Sequence, residues 1–307
     1  MMKKTLLAAA MLIVSVAGYA QKVKPALKLI KGNTYYLVSS AHSVIKQTIN
    51  GQLNNIDMTI DGKMSFKVLN TDDSLYYMEV NYTKVGMKMT LPTGTVAFDS
   101  DNKDTTNIMA RIMSGITNRP FTASITKSGR IRSVENAENM ISAMIDGVKG
   151  VPDAQKDQLK SQLTESFGSA ALKSNLQMSM AVLPEKAIAK NDKWTVNTIM
   201  EGAMKANITS VYQLMDITPQ GYAIHGSATL VTDNTGGYKT ISNMPMKYNM
   251  KGTMLSDFVV DKTTGWVSSS KIKQTIDGTV EIKDNPQIPG GLTFPMTVTS
   301  ETTSSDH

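Results

Sequence analysis

The chain has no cysteine among its 307 residues, which excludes a disulfide framework and a lipid anchor on a processed N-terminus, although an oxidising compartment would permit the former. Only three histidines occur, His42, His225 and His307. There is no HExxH, no GxSxG, no glycine-rich phosphate loop and no clustered Cys/His set, so zinc, nucleophilic and nucleotide chemistry lose their usual residues. A glycosidase-type carboxylate pair needs only two acids that meet in space, and 26 acidic residues single out no pair. The sequence therefore names no catalytic residue and no cofactor, and an enzyme ranks third among the function classes. Aromatic residues make up 6% of the chain, so a core must be filled mainly by aliphatic side chains and methionine. No apolar run approaches the roughly 20 residues that a membrane-spanning helix needs.

Charge is equally unremarkable. The net charge of +6 falls to +4 if Lys3 and Lys4 are removed, and the basic residues are dispersed rather than clustered with aromatics. That distribution argues against nucleic acid as a partner and for an ordinary solvated surface.

The first residues, MMKKTLLAAAMLIVSVAGYAQ, combine two lysines, a short apolar run and small residues at Gly18 and Ala20. This is the pattern of a secretory signal peptide over residues 1–20, with the mature chain starting at Gln21 and located in the periplasm or outside the cell. The remaining 21–307 are read as a single α+β domain.

Strand alternation dominates that domain. Ile56, Met58, Ile60, Met64, Phe66 and Val68 share one face, with Asp57, Thr59, Asp61, Lys63 and Lys67 on the other. Tyr76 to Tyr82 and Val85 to Leu91 repeat the period after a polar turn at 71–74. The middle of the chain changes period: Ile108, Ile112, Met113 and Ile116, then Met140, Ile141, Met144 and Ile145, then Leu159, Leu163 and Phe167 fall at helical spacing. Asp104 and Pro152-Asp153 give the first and third of these their start signals. A hairpin turning at Lys127-Ser128-Gly129 separates the first two. Strands return afterwards, with Leu176, Met178, Met180 and Val182 read as one of them.

Ile45 to Gly51 (IKQTING) and Ile272 to Gly278 (IKQTIDG) agree at six of seven positions, an echo that suggests two related β-rich halves at about 30–130 and 170–303, joined by a helical segment at about 134–168. The expected architecture is predominantly antiparallel: strongly curved sheets or an incomplete barrel, with the central helices on the concave face.

FDSDNKDTTN, residues 98–107, places Asp99, Asp101 and Asp104 close together, but Lys103 stands where an oxygen ligand belongs and no glycine supplies the turn of a calcium loop. A helix-capping Asp104 in a solvated loop is the plainer reading, and no metal is assigned.

What is abundant is methionine, 22 in all. In NMPMKYNMKGTM, Met244, Met246, Tyr248, Met250 and Met254 share one strand face, with Lys247, Asn249, Lys251 and Thr253 on the other. Met87 with Met89 and Met178 with Met180 form further Met-x-Met pairs. Such pairs suit Cu(I) when flexible and exposed, but here each belongs to a longer apolar face. The unbranched thioether adapts to irregular apolar surfaces, so these nine residues are read as the lining of an interior that holds a hydrophobic small molecule or lipid. The competing reading is a structural or protein-interaction module whose methionines fill a core.

Short features spread over nearly the whole mature chain resemble a family of uncharacterised exported proteins from Bacteroidota. They are the signal peptide followed by Gln21, Phe98-Asp99-Ser100, the Phe121–Gly129 hairpin, and PEKAIAKNDKW from Pro184 to Trp194. In this last motif Asn191 stands where the resemblance leads one to expect glycine. The resemblance implies export and a β-rich fold, and carries no activity with it.

Intact-mass measurement of protein recovered from the soluble envelope fraction should place the N-terminus within a residue or two of Gln21. An uncut chain held in the membrane fraction would refute the signal-peptide reading.

Overall fold

The computed structural model describes residues 22–102, 108–146, 148, 152–202, 204–241 and 244–307. The expected signal peptide, its cleavage site and Asp104 lie outside the described residues.

The protein is mostly antiparallel β. In chain order the elements are β1 (Thr34–Ile49), β2 (Gln52–Thr71), β3 (Leu75–Leu91), β4 (Gly94–Asp99), α1 (Ile108–Ser114), β5 (Phe121–Thr126), β6 (Ile131–Glu135), α2 (Ala137–Asp146), α3 (Asp153–Phe167) and α4 (Ser169–Met180). Then follow β7 (Lys193–Met200), β8 (Ala206–Ile217), β9 (Tyr222–Thr232), β10 (Lys239–Ile241), β11 (Met244–Val260), β12 (Val267–Ile282) and β13 (Leu292–Ser305).

The strands form one open sheet in the order β6-β5-β3-β2-β1-β13-β12-β11-β9-β8-β7, with β4 on β3 and β10 on β11. The first and last strands, β1 and β13, pair in the middle from Val38↔Ser305 to Gln47↔Met296. The echoing segments lie on β1 and β12, on either side of β13.

Period-two alternation gives the sheet two unlike faces. The register sets Met89, Met58, Ser43, Ser300, Gln274, Met254, Ala228, Ser210 and Val196 in one row across nine strands, all on one side. On the other side, ion pairs link neighbouring strands: His42 with Asp57 at 2.9 Å, His225 with Asp257 at 2.7 Å, and Lys271 with Glu301 at 2.7 Å. These exposed pairs add little stability and mark the wet face.

The dry face carries the helices. Phe66, Met78, Val80, Val196, Leu214, Ile224, Phe258 and Val260 from both halves of the sheet share one buried cluster with Met140, Ile141 and Met144 of α2 and Leu172 and Leu176 of α4. At about 25 cal/mol per Å² of apolar surface, this common core is the main stabilising term.

One sequence expectation is corrected. Leu176, Met178, Met180 and Val182 do not form a strand; the first three lie in α4 and Val182 follows it. Leu172, Leu176 and Met180 are all buried at four-residue spacing, and no β-branched residue occurs from 169 to 181. The helical period and propensity therefore outweigh a short run of alternation.

Residues 22–33 cross one end of the core. Leu27 N–H donates to the Lys127 carbonyl (2.7 Å), Lys28 N–H to the Thr264 carbonyl (2.7 Å), and Tyr76 Oη links the Leu29 N–H and the Leu27 carbonyl at 3.1 and 3.0 Å. Beneath them Trp266 is 4% exposed, donates from Nε1 to the Tyr36 carbonyl at 2.8 Å, and meets the rings of Tyr35 and Phe66. Gly265 before it adopts φ +69°, and a Cβ there would run into the Ala26 carbonyl. Trp194 is a half-buried anchor, with Nε1 donating to the Val182 carbonyl at 3.0 Å.

Trp266→Ala should cost roughly 3 to 5 kcal/mol in chemical denaturation, and Trp194→Ala less, because its ring is only half-buried. A loss below about 1 kcal/mol for Trp266→Ala would contradict an anchoring role.

Candidate functional site

A cavity of about 370 Å³ lies between the dry face of β1–β3 and the helices. Leu37, Met64, Val85 and Met87 line its sheet side, and Met113, Phe167 and Leu176 come from α1, α3 and α4. Local geometry explains the wall. Register shifts where Met64 pairs with Tyr82 and Lys63 with Lys84, leaving Thr83 as an extra residue in β3. This bulge lets Tyr82 and Val85, three apart, both face inward. Ser39 and Gly62 add little bulk beside them. Ile60, 40% exposed although on the dry face, lies among the lining residues, as do Ser166 and Asn175, which are exposed.

Tyr82 is a titratable polar group of this wall and is half-buried. Its ring stands 6.4 Å from that of Phe121, and its hydroxyl makes no hydrogen bond with any described residue. Burial pushes its pKa up to about 12, so the hydroxyl keeps its proton throughout the neutral range.

The structure divides the nine residues singled out from the sequence. Met87 lines this cavity. Met89 lies one inward position further along β3, half-buried and paired with Met58 and Val96. Met178 and Met180 part company because two residues on a helix are about 200° apart. Met180 enters the main core, and Met178 joins a second cluster with Met250, Met254, Tyr248, Ile208 and Ile276. Met244 and Met246 pack in a third cluster with Val280, Ile282 and Phe294, and Tyr248 belongs to both. Met246 and Tyr248 also border a hollow of about 100 Å³ under the loop 233–237.

Burial alternates along β11 from Asn249 to Phe258, whereas Met244 to Tyr248 are all half-buried, and of the methionine face Met250 alone is fully buried. Pro245 lies at the start of the strand opposite Thr240 of the three-residue β10. Where β9 ends, Thr232 Oγ1 takes its place by accepting from the Met250 N–H at 2.9 Å and donating to the Met250 carbonyl at 3.2 Å.

Tyr82, Met64, Met113 and Phe167 were legible as apolar-face residues but not as one wall. Nothing local brings together residues from three strands and three helices.

A second concavity, a groove of about 660 Å³, runs between β6 and β7 over α4 and is lined by Arg130, Arg132, Lys173, Glu185 and Glu201 among others. Arg130 Nε lies 3.1 Å from Glu185. Asp99 and Asp101 of the rejected calcium loop instead hold Lys84 at 3.7 and 2.7 Å. Among the described residues no group of three or more His, Cys, Asp or Glu is placed to hold a metal ion.

The fold and cavity define a class: a single-sheet antiparallel β protein with one apolar face roofed by helices and an apolar cavity between the layers. Residues 73–267 match DUF6263, a family of unknown function, and the chain belongs to that family. No curated protein matches it in sequence. Solved structures with a measured likeness include lipovitellin, described for its lipid–protein interactions (TM-score 0.45, 9% identity, 88% of this chain and 25% of that one). The COG4313 outer membrane channel from Pseudomonas putida F1 scores 0.27 at 7% identity, covering 91% of this chain and 97% of the channel. The translocator domain of autotransporter NalP from Neisseria meningitidis scores 0.23 at 6% identity, covering 92% and 91%. The chain spans a quarter of the lipovitellin chain, and at these TM-scores none of the likenesses bears on function.

Because Tyr82 is raised above its unfolded value of about 10, the unfolded chain ionises first. Stability from its burial should be intact below pH 10 and fall as pH rises towards 12. Tyr82→Phe should flatten that part of the alkaline stability profile; an unchanged profile would mean that the ring is hydrated.

Proposed function

We propose that this is an exported, non-enzymatic protein that holds an apolar, lipid-like ligand between its sheet and its helices, with the sheet strongly curved around them. The carrying observation is the cavity of about 370 Å³ lined by Leu37, Met64, Val85, Met87, Met113, Phe167 and Leu176. Its size is at the low end of small-molecule sites, roughly 300–1,000 Å³, and suits a single chain rather than a branched lipid. Methionines on three of its elements give the wall a soft, adaptable surface. Half-buried Met58 and Met89 continue the apolar face past Ile60 and offer a path for a longer chain. No catalytic group takes part in this reading, which requires burial of the ligand and nothing else.

A second reading, an interaction module with a filled core, draws on a different observation. Around β11 the methionines Met244, Met246 and Met250 are packed against Ile276, Ile282 and Phe294 rather than lining a cavity of comparable size. On the wet face Ile199, Val231 and Leu255 are each more than half exposed.

The two readings separate on one comparison. Native mass spectrometry of the purified protein, and titration with a fluorescent acyl probe, should show one bound molecule. Met87→Asp should weaken binding at least about tenfold by placing a carboxylate in the apolar wall, whereas Met246→Asp, remote from the cavity, should leave the affinity of the folded fraction unchanged. Absence of any acyl binding by the wild type, with the fold intact, would leave the interaction module as the better account.

A further inference from the structure

The cavity wall also bears on what the ligand carries at its polar end, an inference that rests on the lipid-like reading above. Alternation puts Ile60 and Gly62 on the dry face of β2 and Asp61 on the wet face. Asp61 therefore adds backbone rather than its carboxylate to the lining. The other lining residues are Leu37, Ser39, Met64, Val85, Met87 and Met113, together with Tyr82 and the helical Ser166, Phe167, Asn175, Leu176 and Ser179, none of them charged. Among the described residues, then, no lysine, arginine or histidine faces this space. Tyr82, half-buried beside Phe121, offers an O–H that makes no hydrogen bond with any described residue. Ser166 and Asn175 lie exposed on the helices, and Ser39 is half-buried.

We infer that the cavity selects a single-chain lipid whose head is an uncharged oxygen group, an ester or an alcohol, accepting a hydrogen bond from Tyr82 Oη, and disfavours the fatty-acid anion. Differential solvation sets this preference. A carboxylate entering this space would give up hydration for neutral hydroxyl and amide donors and no cation, and a charge withdrawn from water without a counter-charge is far costlier than an ester oxygen that receives one hydrogen bond. Because Tyr82 retains its proton up to about pH 12, it acts as a donor at any physiological pH. Water-facing Lys63 and Lys84 do not change this balance. Lys84 is committed to Asp101 at 2.7 Å, and Lys63 pairs with Lys84 across the wet face of the sheet and lies over the Tyr36 ring.

The test uses the full mature protein and four defined probes of equal chain length at pH 8: stearate, methyl stearate, 1-octadecanol and octadecane. Each is measured by displacement of a neutral fluorescent alkyl ester. Methyl stearate and octadecanol should bind at least tenfold more tightly than stearate. Tyr82→Phe should lower the affinity for those two severalfold while leaving octadecane unchanged, a contrast that a merely loosened fold would not produce. Stearate binding as well as or better than the neutral probes, or equal losses for all four in Tyr82→Phe, would overturn the head-group assignment and leave the lipid-like reading standing. Binding of none of the four would overturn both.

Discussion

The two edges of the sheet meet a single helix, and the rest of the molecule is arranged around that fact. An open sheet leaves a row of unpaired backbone groups along each outer strand. Here α4 supplies partners to both. Gln177 Oε1 accepts from the Ile131 N–H of β6 at 2.7 Å. Ser174 accepts from the Glu201 N–H just beyond β7 at 2.9 Å and donates to the Ile199 carbonyl at 3.2 Å. Leu172, Leu176 and Met180 of the same helix sit in the common core, and Asn175, Leu176 and Ser179 cover the cavity. Twelve residues thus bond a backbone group at each sheet edge, join the apolar faces of the two halves and roof the cavity. Loss of α4 would expose all three at once, so the cavity depends on the same packing that holds the sheet together.

Legibility from sequence followed the range of the interactions. Period-two alternation identified the sheet and its dry face, because that signal is carried by consecutive residues such as Ile56 to Val68. Helical spacing identified α2 and α3, whose buried residues Met140, Ile141, Met144 and Leu163 lie at the expected intervals. Leu176 to Val182 alternate over only four residues, whereas Leu172, Leu176 and Met180 recur at four-residue spacing, and it is that spacing which decides the element. At Asn191 the structure accounts for the departure from the glycine that the family resemblance led one to expect. Its φ of +71° is the left-handed position for which glycine was expected, and asparagine is among the few other residues that adopt it readily.

The candidate site was less legible, since its wall is assembled by pairings remote in sequence. Met87 reaches Leu37 and Met64 only through the register of three strands, and the bulge that turns Tyr82 inward is set by two registers that differ by one residue. The methionine run in β11 was the loudest local signal, yet Met250 is buried with Ile276, and Met244 and Met246 lie half-buried against the cluster of Ile282 and Phe294. Composition revealed that methionine fills apolar space in this protein; it carried no information on which of that space is occupied by other side chains.

Why a cavity forms under β1–β3 and only a small hollow under the start of β11 follows from side-chain volume. The dry faces of β1 and β2 present Ser39 and Gly62 where the corresponding stretch of β12 presents Ile276, Val280 and Ile282. Helices packed on such a face rest on its large residues and cannot follow it down into a patch of small ones, because their backbones are rigid and their spacing is set by the tallest contacts. The space left at Ser39 and Gly62 has no protein atoms to supply dispersion contacts on its far side, so its lining gives up attraction that a ligand can restore. A Cβ at Gly62 would meet only Ser39 Oγ, at 3.4 Å, with no helix atom within 4 Å, so the hollow begins at the sheet itself. An apolar chain lying there would complete the packing that the sequence, by placing serine and glycine at those two positions, leaves unfinished.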